Sequence, residues 1–182
     1  MATRPLGRFT LHTLDGGSQK LDGGAMFGVV PKPLWQKRIP PDERNRIPLA
    51  MRCLLVETPT ALVLIDNGVG NKEDAKFIDI YGIQNAGTPT VLEDSLRAVG
   101  FGPDDIDLVI NTHLHFDHAG GNTLRTAAGE IRLSFPRAEY VVQKGEFEWA
   151  HRRNERIQAS YLPYNFDPVE QAGRFRFVEG EQ

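Results

Sequence analysis

One segment of this chain is rich in histidine: Thr112-His113-Leu114-His115-Phe116-Asp117-His118-Ala119-Gly120-Gly121-Asn122. Three of the five histidines fall within six residues of it, together with an aspartate. Imidazole and carboxylate groups are ligands for zinc and other first-row transition ions. The segment therefore predicts a metal site formed by His113, His115, Asp117 and His118.

The spacing of these residues predicts which of them bind the same metal ion. In an extended chain, residues i and i+2 point to the same side, so His113 and His115 can hold one ion at the end of a strand. On a helix they would be separated by about 200° around the axis. Asp117 and His118 are adjacent and need a turn to reach a second ion, for which Gly120-Gly121 supply backbone freedom.

Two such ions would sit about 3.5–4 Å apart and would share and activate a hydroxide at neutral pH, so that no Ser or Cys nucleophile is required. A chance polar loop is the first alternative. A single structural zinc with four ligands is the second, although structural sites usually include Cys.

The segments around the motif predict a mixed sheet with helices packed on it, in the α/β (α+β) class. A β-branched run at 106–111 is a buried strand that leads into the motif. Thr90 and Glu93 form a capping box for a helix that ends at Gly100. Residues 51–57 and 61–68 are a hairpin, 8–14 a strand ending in a turn at Asp15-Gly16-Gly17, and 21–46 a long irregular loop. Further strands are expected at 139–143 and 174–178, and a helix at 145–157.

Composition limits the function classes. The 182 residues predict a single domain, and a formal charge of −3 argues against a nucleic-acid partner, which would need a basic excess. The only cysteine, Cys53, excludes an intrachain disulfide and is expected to be a small buried apolar residue. The sequence shows neither a targeting signal nor a membrane span, so we expect a cytoplasmic protein that acts on a small molecule. The oligomeric state is not predicted.

Four segments together resemble the metallo-β-lactamase-fold hydrolase superfamily: Leu64 to Gly68, Asp104 to Thr112, the His113–His118 motif with Gly120-Gly121-Asn122, and Gly23 to Lys32. The last looks like the early loop of the acyl-homoserine lactonase branch. The resemblance implies an αββα sandwich and zinc, with iron or manganese as alternatives. It also implies that His113 and His115 bind one metal ion and that Asp117 and His118 bind the other.

The resemblance covers only the N-terminal part of the family pattern. That pattern also includes a third histidine for the first metal, a bridging acidic residue and a late histidine for the second metal. Here no histidine follows His151. We therefore expect one metallo-β-lactamase-like domain over residues 1–182, incomplete at its C-terminus.

Several other residues have two possible interpretations. Asp66 is either a support that hydrogen-bonds the metal loop or a turn carboxylate. An apolar set either lines a substrate pocket or anchors its own loop: Met26, Phe27, Val30 and Trp35. His151 lies in an expected amphipathic helix with Trp149 and Arg153, which favours a structural role over metal binding.

The leading hypothesis is a hydrolase in which a metal-bound hydroxide attacks an ester, lactone, thioester or amide carbonyl. Asp117 would be the catalytic residue, because it holds the second metal and also passes a proton to the leaving group. One alternative is an iron-dependent oxygenase of the persulfide dioxygenase type on the same fold. The other is a non-catalytic metal-binding fragment.

Overall fold

The computed structural model describes residues 2–152 and 154–180. Met1, Arg153, Glu181 and Gln182 lie outside the described residues. The described residues form the strands β1 (Ala2–Leu6), β2 (Phe9–Asp22), β3 (Arg46–Glu57), β4 (Leu62–Ile65), β5 (Leu108–Ile110), β6 (Thr123–Arg125), β7 (Ile131–Leu133), β8 (Glu139–Gln143) and β9 (Phe175–Val178). The α-helices are α1 (Gly23–Phe27), α2 (Lys32–Trp35), α3 (Ala75–Tyr81), α4 (Val91–Ala98), α5 (Phe116–Ala119), α6 (Lys144–Ala150) and α7 (Asp167–Gln171).

Seven strands form one mixed sheet in the order β1-β2-β3-β4-β5-β8-β9, and β6 and β7 form a separate hairpin. β1 to β4 pair in antiparallel fashion, whereas β5 pairs in parallel with both β4 and β8. The carboxyl ends of parallel strands meet at one edge of a sheet. This topology places the residues that follow β4 and β5 beside each other.

The core lies between the sheet and the helix α4. Four strand side chains form one cluster with Leu96 of that helix, and each of the five residues is no more than 1% exposed. The four strand residues are Leu14, Leu55, Leu64 and Val109. Burying each of these contributes about 1.5–3 kcal/mol relative to leaving it exposed. The opposite side of the central strands carries half-buried apolar residues: Leu54, Val56, Val63, Ile65, Leu108 and Ile110.

The mixed α/β class and most of the predicted elements are confirmed. The hairpin is formed by β3 and β4, and β5, β8 and β9 match the three predicted strands. Thr90 caps α4 by accepting a hydrogen bond from the Glu93 backbone N–H over 3.3 Å. One large sheet is present in the described part of the chain, and the second large sheet of an αββα sandwich is not among its elements.

Three local predictions were wrong. The strand at 8–14 continues to Asp22, because Asp15-Gly16-Gly17 forms a β-bulge against β3 instead of a turn. The expected loop at 21–46 contains the end of β2 and the helices α1 and α2. The helix predicted at 145–157 ends at Ala150, and its Arg153 lies outside the described residues.

In the described ranges, none of the helices combines the length and hydropathy that crossing a bilayer requires.

Candidate metal centre

The four predicted ligands lie at the carboxyl end of β5. The strand ends at Ile110, residues 112–115 continue in irregular backbone, and α5 begins at Phe116. The ring centroid of His113 is 4.6 Å from that of His115 and 4.0 Å from that of His118. Asp117 Oδ2 lies 3.6 Å from His118 Nε2. The fold therefore gathers the predicted residues into one cluster.

Asp66 joins the end of β4 to this cluster. Its backbone is in the left-handed region, with φ at +55°, a conformation that Asp and Asn tolerate better than most residues. Its Oδ1 accepts from the Thr112 backbone N–H at 2.9 Å, and its Oδ2 accepts from His118 Nδ1 at 2.8 Å. The carboxylate therefore fixes the orientation of the His118 ring, so that its Nε2 lies on the side of Asp117, 3.6 Å from Oδ2.

Close backbone packing holds the segment after the motif. A Cβ atom on Gly121 would lie 2.1 Å from the Asn67 carbonyl oxygen, and one on Gly120 would lie 2.4 Å from that of Val69. Gly120 has an ordinary φ of −59°. The prediction that Gly120-Gly121 provide backbone freedom was wrong, because these glycines are needed for close approach.

A buried lysine donates hydrogen bonds to the backbone of the segment that follows the motif. Lys72 is 6% exposed, and its Nζ donates to the carbonyl oxygens of Gly120 at 2.5 Å and Thr123 at 2.6 Å. Burial lowers the pKa of Lys72 to about 7. A neutral amine still has two N–H groups, which matches the two carbonyl acceptors.

Two further contacts to the motif come from distant elements. Gln19 on β2 donates from Nε2 to Asp117 Oδ2 at 2.6 Å. Glu146 on α6 accepts from the Leu114 backbone N–H at 2.8 Å. Neither residue was a sequence candidate, and no spacing signal links them to the motif, since Gln19 precedes Asp117 by 98 positions.

The surroundings influence the protonation of the three imidazoles. Burial lowers the pKa of His113 and of His115, and for His113 the neighbouring histidines add to the effect. Burial also disfavours charged His118, but the hydrogen bond to Asp66 and the charge of Asp117 outweigh it, so the pKa of His118 is raised. Metal ligation needs neutral imidazole, which the environment of His113 and His115 favours.

The donor types fit divalent cations, but they do not form a closed ligand set. Over residues 2–152 and 154–180, no three His, Cys, Asp or Glu side chains are arranged so that they could hold one ion. The predicted division into two pairs, His113 with His115 and Asp117 with His118, stays a prediction. Because catalytic zinc normally has three protein ligands, each ion would need a further ligand.

The predicted pocket residues lie on α1, α2 and their connection. The Phe27 and Trp35 rings stack with centroids 5.0 Å apart, and Trp35 is 4% exposed. Met26 and Val30 are exposed. Phe27 and Trp35 thus anchor this segment, while the lining of a substrate pocket stays a prediction for all four.

His151 lies at the end of α6 and is engaged elsewhere. Its Nδ1 is 2.9 Å from the Phe147 carbonyl oxygen, and its Nε2 is 3.2 Å from Asp167 Oδ1. Both ring nitrogens therefore have partners outside the motif.

The Cys53 thiol is buried, as predicted, and burial raises its pKa.

An open cleft of about 960 Å³ borders the cluster at His115. Its lining includes Trp149, Ile157 and Ser160. On the side of Asp117, the rings of Phe77, Tyr81 and Phe116 pack with centroids 4.4–4.9 Å apart. Apolar surface therefore adjoins polar metal-ligand types in this region.

Comparison with known proteins identifies the family. The model of the metallo-beta-lactamase superfamily matches residues 48–178, well over half of the chain. The chain belongs to the metallo-beta-lactamase superfamily. This match includes most of the hairpin β3–β4, all of β5 and the complete His113–His118 motif.

Relatives of this superfamily member include lactonases. The N-acyl homoserine lactonase AiiA of Bacillus thuringiensis subsp. kurstaki is 31% identical over 142 residues, which cover 74% of this chain and 52% of AiiA. AttM of Agrobacterium fabrum, also an N-acyl homoserine lactonase, is 33% identical over 89 residues, which cover 49% of this chain and 29% of AttM. The chain thus spans about half the length of AiiA.

Solved structures agree with this assignment. A probable metal-dependent hydrolase from Staphylococcus aureus superposes with a TM-score of 0.85 at 36% identity, over 97% of this chain and 61% of that one. AidC, a dizinc quorum-quenching lactonase, superposes with a TM-score of 0.73 at 22% identity, over 100% of this chain and 62% of AidC. The second likeness is one of fold.

Proposed function

We propose that this chain supplies the His113–His118 part of a two-metal hydrolase centre that opens a lactone or cleaves a related acyl ester of a small molecule. The observation that carries this proposal is the cluster of three imidazoles and one carboxylate at the end of β5, with ring centroids 4.0 and 4.6 Å apart. The N-acyl homoserine lactonases among the relatives support the substrate class.

Each residue of the cluster has an assigned task. His113 and His115 would hold one divalent ion, with zinc as the leading candidate, while Asp117 and His118 would hold the other. When bound, such ions make water a nucleophile at neutral pH and polarise the carbonyl. Asp66 holds His118 in the tautomer protonated on Nδ1, the arrangement in which an outer carboxylate orients a ligating imidazole.

Asp117 has a second task in this proposal. Cleavage of the acyl C–O bond adds water, leaves a carboxylic acid and requires a proton on the departing alkoxide oxygen. A carboxylate close to the reacting atoms accepts a proton from the attacking water and donates it to that oxygen. The open cleft beside His115, whose lining includes Trp149 and Ile157, supplies apolar surface that suits an alkyl acyl group.

The test compares the full-length protein with its Asp117→Ala variant. We expect bound zinc or a related ion, hydrolysis of N-hexanoyl-homoserine lactone or a short acyl ester, and at least a 100-fold loss of kcat/KM in the variant. Asp104→Ala at an exposed position is the control and should retain activity. Equal hydrolysis by Asp117→Ala, or a folded wild type that takes up no divalent ion, would overturn the proposal.

The same assays separate the two other hypotheses. Oxygen consumption with bound iron would identify the oxygenase, and a folded, metal-loaded protein without hydrolysis would identify a non-catalytic metal-binding fragment. The lactonases and the metal-dependent hydrolase among the relatives favour hydrolysis.

A further inference from the structure

Gln19 is a buried amide that reaches the metal-binding motif from another part of the sheet. Its side chain is 2% exposed, and its Nε2 donates to Asp117 Oδ2 at 2.6 Å. A carboxylate only accepts hydrogen bonds, so the amide nitrogen and not the oxygen must face Asp117. The orientation of the amide therefore follows from its partner.

A β-bulge turns Gln19 toward the motif. Leu14 pairs with Cys53 and Gln19 pairs with Leu49, so five steps along β2 correspond to four along β3. Successive side chains in a strand alternate between faces, and one extra residue reverses that alternation. Gln19 consequently faces the same side as buried Leu14, although their separation is odd.

The sequence of the bulge is suited to this role. A Cβ atom on Gly16 would lie 2.8 Å from both Cys53 Sγ and the Met51 carbonyl oxygen, and Gly17 has φ at +98°. Both positions therefore require glycine. The Gly16-Gly17 pair thus allows the extra residue that directs Gln19 inward.

The amide oxygen of Gln19 is not stabilised in the same way. Among the described residues, this buried Oε1 has no hydrogen-bond partner. A buried acceptor without a partner costs free energy, and an apolar side chain of similar shape avoids that cost. The unpaired oxygen therefore offsets part of the stability that the bond to Asp117 contributes, and that bond explains why an amide occupies this position.

We propose that Gln19 is a positioning residue that holds the Asp117 carboxylate ready for a divalent ion. This inference rests on the proposed two-metal centre. A carboxylate has about four lone-pair sites, so a single bond from Gln19 leaves acceptor capacity for the ion. Restricting the side chain before binding reduces the conformational entropy that the ion would otherwise have to remove.

The test measures metal affinity and stability separately. Gln19→Met removes the amide and keeps a side chain of similar length, and Gln19→Asn keeps the amide but shortens its reach. Gln171→Met, at an exposed position on α7, is the control. Zinc affinity and stoichiometry of the full-length proteins are obtained by competition with a chromophoric chelator, and stability of the metal-free proteins by urea unfolding.

We expect the weaker of two zinc affinities to fall about 10–100-fold in both Gln19 variants. Metal-free Gln19→Met should unfold at a urea concentration close to that of wild type, because the Asp117 carboxylate is 19% exposed and water can replace the lost donor. Gln171→Met should match wild type in both measurements. Unchanged zinc affinity in both Gln19 variants would overturn the inference. So would a loss of metal-free stability in both, because Gln19 would then be a structural residue. A wild type that binds no second ion would instead contradict the proposed function.

Discussion

His118 Nδ1 lies 2.8 Å from Asp66 Oδ2, which joins the last residue of the predicted ligand set to the end of a strand 52 positions earlier in the chain. The same carboxylate accepts from the Thr112 backbone N–H at the start of the motif. Asp66 therefore fixes both ends of the His113–His118 segment. Its position in the left-handed region makes Asn the substitution that changes the charge with least backbone strain.

We expect Asp66→Asn to lower zinc affinity about 10–100-fold, because the His118 ring loses a charged partner that raises its basicity and fixes its orientation. Chelator competition measures the effect. Asp104→Asn, at an exposed position, should bind zinc as the wild type does. Equal affinity of Asp66→Asn and wild type would show that the contact does not support metal binding.

The Lys72→Met substitution should destabilise the protein. It leaves the carbonyl oxygens of Gly120 and Thr123 without the donor that Lys72 provides. Each buried acceptor left unpaired costs about 1–3 kcal/mol. Urea unfolding should show a loss of at least that size, whereas Lys76→Met at an exposed position of α3 should change stability by less than about 0.5 kcal/mol. A Lys72→Met protein as stable as the wild type would contradict this role.

The stability that Lys72 confers should increase with pH. Burial lowers the pKa of Lys72 from 10.5 in the unfolded chain to about 7 in the folded one. Between these values the unfolded chain binds a proton that the folded chain does not, so the free energy of unfolding rises with pH. Urea unfolding at pH 7, 8 and 9 should therefore show a widening gap between wild type and Lys72→Met. A constant gap would mean that Lys72 keeps its proton throughout this range.

Gly121→Ala should prevent the motif from packing. The new Cβ would lie 2.1 Å from the Asn67 carbonyl oxygen, a backbone atom that cannot move aside without shifting the end of β4. Loss of cooperative unfolding or of soluble protein is expected. Gly145→Ala is the matched control, because no atom of residues 2–152 or 154–180 outside its immediate surroundings in the chain lies within 4 Å of the added Cβ, and position 145 falls within α6. It should raise stability by about 0.5–1 kcal/mol. Normal folding of Gly121→Ala would refute the close-approach argument.

Sequence patterns correctly predicted those helices and strands that are stabilised by contacts between residues close to each other in the sequence. Thr90 and Glu93 lie one helical turn apart, so the start of α4 could be recognised from sequence. The hairpin of β3 and β4 was equally visible, because its apolar runs flank a short turn around Pro59. Asp15-Gly16-Gly17 was misleading, since glycines that serve a turn and glycines that serve a bulge have the same local signature.

The sequence by itself identified the four residues that we propose as metal ligands: His113, His115, Asp117 and His118 are close in sequence, and their chemistry and spacing indicate divalent metal ions. Only the tertiary structure decided what holds them. Gln19, Asp66 and Lys72 reach the motif from distant strands and loops. The side of the sheet that Gln19 faces depends on the register between β2 and β3. The β-bulge shifts this register by one residue and so places the later side chains on the other face, and the residues of β2 alone do not encode that shift.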